Sequence, residues 1–256
     1  MLRRRTATAL VLAPVVLGAI LLGPASVYAV VLVVVGLCAW ELSRALKPLP
    51  FLAALGSGAP PVLLSIPLGA EGILAGTMFA LPWALVWLAG RPESRTLRAM
   101  LAMLLMALWV GAALAHVGLL SRLPEGTVLV LIAVVGPWVS DAGAYFAGRL
   151  FGRHRLFPTL SPKKTVEGAL GGLSLAVLAV APLAHAFLGY PPAKAILVGA
   201  AVSVFSQSGD LFESTLKRIL AVKDLGRLLP GHGGMLDRVD SLLFTAPAVY
   251  YVSLLV

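Results

Sequence analysis

Residues 128–148 read VLVLIAVVGPWVSDAGAYFAG, an apolar run that contains a single acid, Asp141. Because about 20 residues of helix cross a hydrocarbon core about 30 Å thick, this run predicts a transmembrane helix. A carboxylate inside such a helix costs at least about 2.5–3.5 kcal/mol on insertion scales, so we expect it to face a polar interior and to mark a functional site. The alternative is a structural hydrogen bond or ion pair between helices.

The composition of the whole chain agrees with this segment. Of its 256 residues, 59% are hydrophobic and only 12% are charged, whereas an average soluble domain is about 45–50% apolar and about 25% charged. High hydrophobicity excludes a disordered chain. One cysteine, Cys38, excludes an internal disulfide framework and a cysteine-rich metal site. The sequence therefore predicts an all-α polytopic integral membrane protein.

Apolar segments of sufficient length recur along the chain and predict about nine transmembrane helices. They cover roughly residues 7–23, 25–42, 51–69, 72–90, 98–120, 127–148, 168–189, 193–212 and 239–256. Residues 1–29 also resemble a secretory signal peptide, with a basic start and a small-residue end, but we interpret their apolar part as the first span. We expect residues 1–126 to form a scaffold and residues 127–256 to carry the catalytic region.

Basic residues indicate the orientation of these spans. The net charge of +9 would suggest nucleic acid in a soluble protein, but here we interpret the cations as loop charges and expect no nucleic-acid partner. With the N-terminus inside, 18 of the 20 basic residues fall on the cytoplasmic side, and only Arg122 and Lys194 fall outside. This asymmetry follows the positive-inside rule and predicts a cytoplasmic N-terminus.

Acidic residues concentrate in the second half of the chain, at or near the cytoplasmic ends of the last four spans. They are Asp141, Glu167, Asp210, Glu213, Asp224, Asp237 and Asp240. Ser206, Asp210, Glu213 and Lys217 follow helical spacing, so one stripe of the eighth span carries two carboxylates and an ammonium. The alternative is a solvated surface stripe at the end of that helix.

A glycine-rich segment follows the eighth span. In it, Gly231, Gly233 and Gly234 surround His232 and would let backbone N–H groups approach an anion. Asp237 and Asp240 lie three residues apart at the start of the last predicted helix. They could face the acidic stripe of the eighth span there.

The loop between residues 149 and 165 is rich in cations. We expect Ser161 to be a helix N-cap with Pro162 at the first helical position. Lys163 and Lys164 would then lie at a helix N-terminus and bind phosphate, together with Thr165. The alternative is a loop whose charges only set the membrane topology.

Together, hard oxygen ligands and cations at a membrane boundary predict chemistry on Mg²⁺ and a polyphosphate. No cysteine and histidine set suits zinc, and the sequence lacks the GxxxxGK[ST] motif of a P-loop.

Residues 214–240, read as STLKR, then KDLG, then PGHGGMLDRVD, resemble the signature of the phosphatidate cytidylyltransferase (CDP-diglyceride synthase) family. The segments SDAGAY from Ser140, FG from Phe151, SPKKTVEG from Ser161 and GDLFES from Gly209 are similar to that family too. The resemblance covers about residues 136–250, whereas residues 1–120 match only in being hydrophobic.

The resemblance implies transfer of a cytidylyl group from CTP to phosphatidate, giving CDP-diacylglycerol and pyrophosphate. It also implies a bacterial inner (plasma) membrane location with the active-site loops in the cytoplasm, dependence on Mg²⁺ with K⁺ as an additional candidate ion, and a homodimer.

We assign Asp210 and Asp237 as the primary metal ligands, with Asp141, Glu213 and Asp240 as further candidates around the metal. Further catalytic candidates are Asp141, Lys164, Glu213, Lys217, Lys223, Asp224, His232 and Asp240. Candidates for binding CTP or lipid are Ser161, Lys163, Thr165, Ser214, Arg218, Gly231, Gly233, Gly234 and Arg238.

Two alternatives belong to other classes of protein. An ion-coupled transporter would also carry intramembrane acids, but here the acids cluster on one side of the membrane rather than at its midplane. A transferase acting on CDP-alcohols would resemble DGxxAR followed by GxxxDxxxD, and neither string is present.

Overall fold

Helices make up most of the structure, a computed structural model that describes residues 2–46, 49–89, 94–226, 228 and 233–255. The elements follow in chain order as α1 (Leu2–Leu22), α2 (Pro24–Ala45), α3 (Phe51–Leu88), α4 (Ser94–Leu105), a π-helical stretch (Met106–Ala112), α5 (Ala113–Ser121), α6 (Gly126–Phe151), β1 (Arg155–Phe157), β2 (Ser161–Thr165), α7 (Val166–Leu188), α8 (Pro192–Ile219) and α9 (Leu236–Leu254).

The described part of each predicted apolar segment is largely helical, which confirms the all-α membrane class. Within the described residues, six helical stretches are long and apolar enough to cross a membrane. They are Pro24–Ala45, Phe51–Leu88, Leu97–Ser121, Gly126–Phe151, Val166–Leu188 and Pro192–Ile219. The number of nine crossings stays a prediction.

The long helix α3 contains two of the predicted spans, residues 51–69 and 72–90, because the chain reverses at Gly69. Gly69 has φ 62° and ψ −137°, a backbone conformation that residues with a Cβ rarely adopt. Beyond it the second arm packs back on the first, and the indole Nε1 of Trp83 donates to the carbonyl of Ala53 at 3.1 Å. Helix α3 is therefore a helical hairpin, with two arms joined at Gly69.

The chain divides into two compact units, and the division does not follow the sequence order. The first unit comprises Met1–Arg122 and Asp224–Val239, and the second comprises Leu123–Lys223 and Asp240–Val256. The glycine-rich segment thus belongs to the unit built by the N-terminal helices. The functional division into a scaffold and a catalytic region stays a prediction.

In the second unit, α6 packs on α7 through small residues. A Cβ at Gly143 would lie 2.7 Å from the carbonyl oxygen of Gly171, so the two backbones approach closely. Helix α8 has 28 residues and is therefore about 42 Å long. This length exceeds a hydrocarbon core of about 30 Å, so part of α8 extends beyond a membrane span.

The segment before α7 corrects one expectation. Ser161 is not a helix N-cap, because Ser161–Thr165 forms β2 and pairs antiparallel with β1. The N-cap of α7 is Thr165, whose hydroxyl accepts from the backbone N–H of Gly168 at 3.1 Å. Glu167 in the first turn favours a helix that starts here, since acids stabilise helix N-termini. Lys163 and Lys164 therefore lie on a strand.

The two basic residues of the predicted outer loops bind carbonyl groups near helix C-termini. Arg122 donates through Nη1 to the carbonyl of Ile66 at 2.7 Å, within α3 just before its reversal. Lys194 donates through Nζ to the carbonyl of Ser253 at 3.0 Å, at the end of α9. Because helices leave their last carbonyls without intrahelical partners, these cations satisfy groups that need a donor.

Candidate metal and phosphate site

Three carboxylates of the second unit come together in one acidic group. Asp210 and Glu213 lie on α8 and Asp240 lies on α9, and one oxygen atom from each lies within 4.8 Å of the others. Glu213 is only 2% exposed, and the other two side chains are half-buried. Three carboxylates so close together repel one another unless a proton or a cation neutralises them.

Backbone packing brings the acids from two helices together. Gly209 precedes Asp210, and a Cβ at Gly209 would lie 2.6 Å from the carbonyl oxygen of Asp240. Helices α8 and α9 therefore touch where their acids meet. The predicted stripe from Ser206 to Lys217 lies on α8, where Ser206 and Glu213 are buried and the Asp210 side chain is 40% exposed.

Two lysines border the acidic group. The Nζ atom of Lys164, on β2, lies 2.6 Å from Oδ2 of Asp210. The Nζ atom of Lys217 lies 2.8 Å from Oε2 of Glu213, one turn earlier on α8. Two ammonium groups that can bind phosphate therefore lie beside three carboxylates.

A buried polar network aligns α6 with α8 next to this group. The hydroxyls of Ser140 and Ser203 lie 2.8 Å apart, and the amide of Gln207 donates to Ser203 at 2.9 Å. Asp141 follows Ser140, and its exposed carboxylate lies within electrostatic range of Asp210, Asp240 and Lys164. Asp141 thus adds negative charge beside the three carboxylates, although its oxygens are not among those that meet within 4.8 Å.

The donor atoms of the acidic group suit a hard divalent cation. All three are carboxylate oxygens, which Mg²⁺, Mn²⁺ and Ca²⁺ prefer to nitrogen and sulfur ligands. Three anionic groups around a small space also need a positive charge to be stable together. The residues therefore fit a metal ion on chemical grounds.

The other predicted metal ligand, Asp237, organises the glycine-rich segment of the first unit. Its Oδ2 accepts from the backbone N–H of Gly234 at 2.6 Å, and its Oδ1 accepts from that of Leu225 at 3.5 Å. Gly233 lies beside this carboxylate with φ 79°. The structure thus records backbone contacts for Asp237, and its role as a metal ligand stays a prediction.

Sequence reasoning missed one acid of the first unit, Glu41. Its side chain is buried on α2, and its two carboxylate oxygens accept from the backbone N–H groups of Met235 and Leu236 at 2.8 and 3.0 Å. The only signal in the sequence is an acid at the end of an apolar run.

The remaining predicted residues lie in several settings. Ser214 is half-buried on α8, and Arg218, near the end of that helix, donates through Nε to the carbonyl of Leu160 at 2.7 Å. Lys223 and Asp224 are exposed after α8, and Arg238 is exposed on α9. Gly231 and His232 lie outside the described residues, so their predicted roles have no structural description.

Comparisons with known proteins match this chain to enzymes of cytidylyl transfer. The model of the cytidylyltransferase family matches residues 3–256. The chain is 48% identical over 128 residues to the phosphatidate cytidylyltransferase of Bacillus subtilis (strain 168), which covers 50% of this chain and 48% of that protein. It is 47% identical over 125 residues to that of Staphylococcus saprophyticus, which covers 48% of each. The chain spans about half the length of the curated relatives it matches.

Proposed function

The chain belongs to the cytidylyltransferase family, and from this premise we propose that it is a nucleotidyltransferase that makes CDP-diacylglycerol and pyrophosphate from CTP and phosphatidate. The observation that carries the proposal is the acidic group of Asp210, Glu213 and Asp240 with Lys164 and Lys217 at its border. Two anionic substrates that repel each other need such a combination of metal ligands and cations in order to meet.

The reaction requires little covalent work from the protein. A phosphate oxygen of phosphatidate attacks the α-phosphorus of CTP, and the bond from that phosphorus to the bridging oxygen breaks as pyrophosphate leaves. Positioning and charge neutralisation dominate transfers of this type. Lys164 and Lys217 would bind phosphate oxygens and stabilise the charge that moves to the leaving group.

Asp210, Glu213 and Asp240 would hold the metal ion, and Asp237 remains a further candidate ligand. When bound, Mg²⁺ supplies a Lewis acid that neutralises phosphate oxygens. Asp141 would strengthen the negative potential that attracts the cation. K⁺ is the additional ion that we propose for the same region.

Further residues are proposed to bind the substrates. Cations for the phosphates of CTP or lipid are Lys163, Arg218, Lys223 and Arg238. The residues proposed to line the nucleotide or pyrophosphate pocket are Gly231, His232, Gly233 and Gly234. Ser161, Thr165, Ser214 and Asp224 complete the proposed set. The backbone N–H groups of the glycine-rich segment are suited to anionic ligands.

The membrane setting provides the lipid substrate. Apolar helices long enough to span a bilayer support a multi-pass protein, and the charge asymmetry of the loops supports a cytoplasmic N-terminus. We place the site on the cytoplasmic side of a bacterial inner membrane, where CTP is available, and propose that the protein acts as a homodimer.

The proposal is tested with the purified full-length chain in vesicles that contain phosphatidate. Addition of CTP and Mg²⁺ should release pyrophosphate and form CDP-diacylglycerol in equal amounts. Diacylglycerol in place of phosphatidate should give neither product, because it lacks the attacking phosphate. Product formation no greater than in vesicles without protein would overturn the proposal.

A set of matched variants locates the activity in the proposed site. Asp210→Asn and Asp237→Asn each remove a charge that we assign to metal binding, and both should lose most of the activity at saturating Mg²⁺. Glu71→Gln is the control, because Glu71 is exposed on α3 and has no assigned role. A near-normal rate in either aspartate variant would contradict that ligand assignment.

A further inference from the structure

Glu167, in the first turn of α7, binds the chain at the point where α6 has just ended. Its Oε2 accepts from the backbone N–H groups of Arg153 and His154 at 3.0 and 3.2 Å. The ring Nδ1 of His154 lies 2.6 Å from its Oε1. Arg153 follows Gly152, the C-cap of α6, so this carboxylate joins the end of α6 to the start of α7. All four residues belong to the second unit.

The segment between these two helices is a small β-hairpin. Strand β1 has three residues and β2 has five, and their pairing is irregular between Arg155 and Phe157. A two-stranded hairpin by itself is at best marginally stable in water. The position of this hairpin therefore depends on the contacts that fix it to the helices.

Contacts fix the hairpin at its base and at its turn. At the base, Glu167 acts together with the backbone N–H of Val166, which donates to the carbonyl of His154 at 2.9 Å. At the turn, Arg218 of α8 donates through Nε to the carbonyl of Leu160 at 2.7 Å. Glu167 thus supplies side-chain contacts that hold the base of the hairpin to α7.

Lys164 is the candidate site residue whose position depends on this hairpin. It lies on β2, three residues before Glu167. Its Nζ lies 2.6 Å from Oδ2 of Asp210 and 3.5 Å from the carbonyl oxygen of Gln207, both on α8. Because lysine carries its charge on a flexible four-carbon stem, the ammonium group keeps a defined place only where the backbone that bears it is fixed.

We propose that Glu167 is a positioning residue for Lys164: by holding the base of the hairpin to α7, it keeps the ammonium group where it can bind a substrate phosphate. The inference rests on the proposed function, which gives Lys164 its role in binding phosphate. Glu167 itself binds no substrate, and its contribution is transmitted by the backbone of β2.

Two matched variants separate hydrogen bonding from charge. Glu167→Gln keeps an oxygen that can accept from both backbone N–H groups, whereas Glu167→Asp keeps a charge at the helix N-terminus but is one methylene shorter. We expect Glu167→Asp to lower kcat/KM of cytidylyl transfer about 10-fold and Glu167→Gln to lower it less than about 3-fold, since small displacements of a positioned group cost up to about 100-fold. Glu71→Gln is the control and should behave as wild type. A greater loss in Glu167→Gln than in Glu167→Asp would assign the effect to charge and overturn the inference.

The same rates identify the phosphate and the route of the effect. Measuring kcat/KM separately for CTP and for phosphatidate shows which substrate phosphate Lys164 binds, because that substrate should suffer the larger loss. If Glu167 acts through Lys164, Glu167→Asp should lower the rate less than about 2-fold further in a Lys164→Ala background, since residues in one network are not additive. Fully additive losses would overturn the inference, as would a wild-type rate in Glu167→Asp.

Amide hydrogen exchange of residues 153–165, followed by mass spectrometry without substrates, requires no reaction. Exchange should be faster in Glu167→Asp than in wild type or Glu167→Gln, because the base of the hairpin opens more often. Glu167→Ala gives the same comparison if Glu167→Asp does not fold. If this difference is present but wild type transfers no cytidylyl group, the proposed function fails while the anchoring of the hairpin stands. Equal exchange in all these proteins would overturn the inference whatever their activity.

Discussion

Lys164 and Asp210 form an ion pair, with 2.6 Å between Nζ and Oδ2, that joins β2 to α8. Both side chains are partly exposed, at 24% and 40%, so the pair adds little to stability because water screens it. Its value lies in placing a cation beside the acidic group. A phosphate that binds beside the acidic group would meet the ammonium group of Lys164.

We predict that Lys164→Ala lowers kcat/KM about 100-fold, as loss of one group that stabilises developing charge commonly does. The melting temperature should change little. Lys163→Ala is the paired variant, since adjacent strand residues point to opposite faces, and its loss should be clearly smaller. Steady-state pyrophosphate release measures both. Equal losses in the two variants would show that only the total loop charge matters.

Thr165 offers a prediction about local stability. Its hydroxyl caps α7 by accepting from Gly168 N–H, and loss of such a cap costs about 1 kcal/mol. Thr165→Ala should therefore lower the melting temperature of the purified protein, whereas Thr165→Ser, which keeps the hydroxyl, should retain most of the stability. If both variants melt at the same temperature, the cap is not stabilising.

The reversal of α3 gives a prediction that depends on backbone conformation alone. Gly69 and Gly36 both have open space where a Cβ would lie, but only Gly69 has a positive φ, of 62°. Gly69→Ala should cost about 1–3 kcal/mol of strain. Gly36→Ala, inside the regular helix α2, should be neutral or stabilising by about 0.5–1 kcal/mol. Thermal unfolding of both variants compares them, and an unchanged Gly69→Ala would contradict the strain.

Hydropathy was sufficient to predict the helical class, because a membrane span requires a long apolar run whatever its tertiary contacts. Helical spacing was sufficient for the α8 stripe, since Asp210, Glu213 and Lys217 lie on one face of any helix that contains them. Asp240 was recognised as a candidate for the same reason, from its spacing after Asp237. These features depend on local sequence.

Features that depend on distant partners were not predictable. The contact of Glu41 with Met235 joins residues 194 positions apart, and no local pattern indicates such a pair. The strand Ser161–Thr165 was mistaken for a helix start because a short strand has too few residues to show alternation, and Ser161-Pro162 has the local chemistry of an N-cap. Its pairing with β1 decided the conformation.

We propose that carboxylates of α8 and α9 bind one divalent cation together. Titration of the purified protein with Mn²⁺, followed by electron paramagnetic resonance, tests it directly on wild type and on Asp240→Asn. Removing a unit charge a few ångströms from the ion should weaken binding at least about 100-fold, because two unit charges 4 Å apart attract each other by about 4 kcal/mol at an effective dielectric near 20 and a tenfold change in affinity is about 1.4 kcal/mol. We predict one bound Mn²⁺ in wild type and this loss of affinity in Asp240→Asn, and equal affinity in the two proteins would contradict a cation shared by α8 and α9.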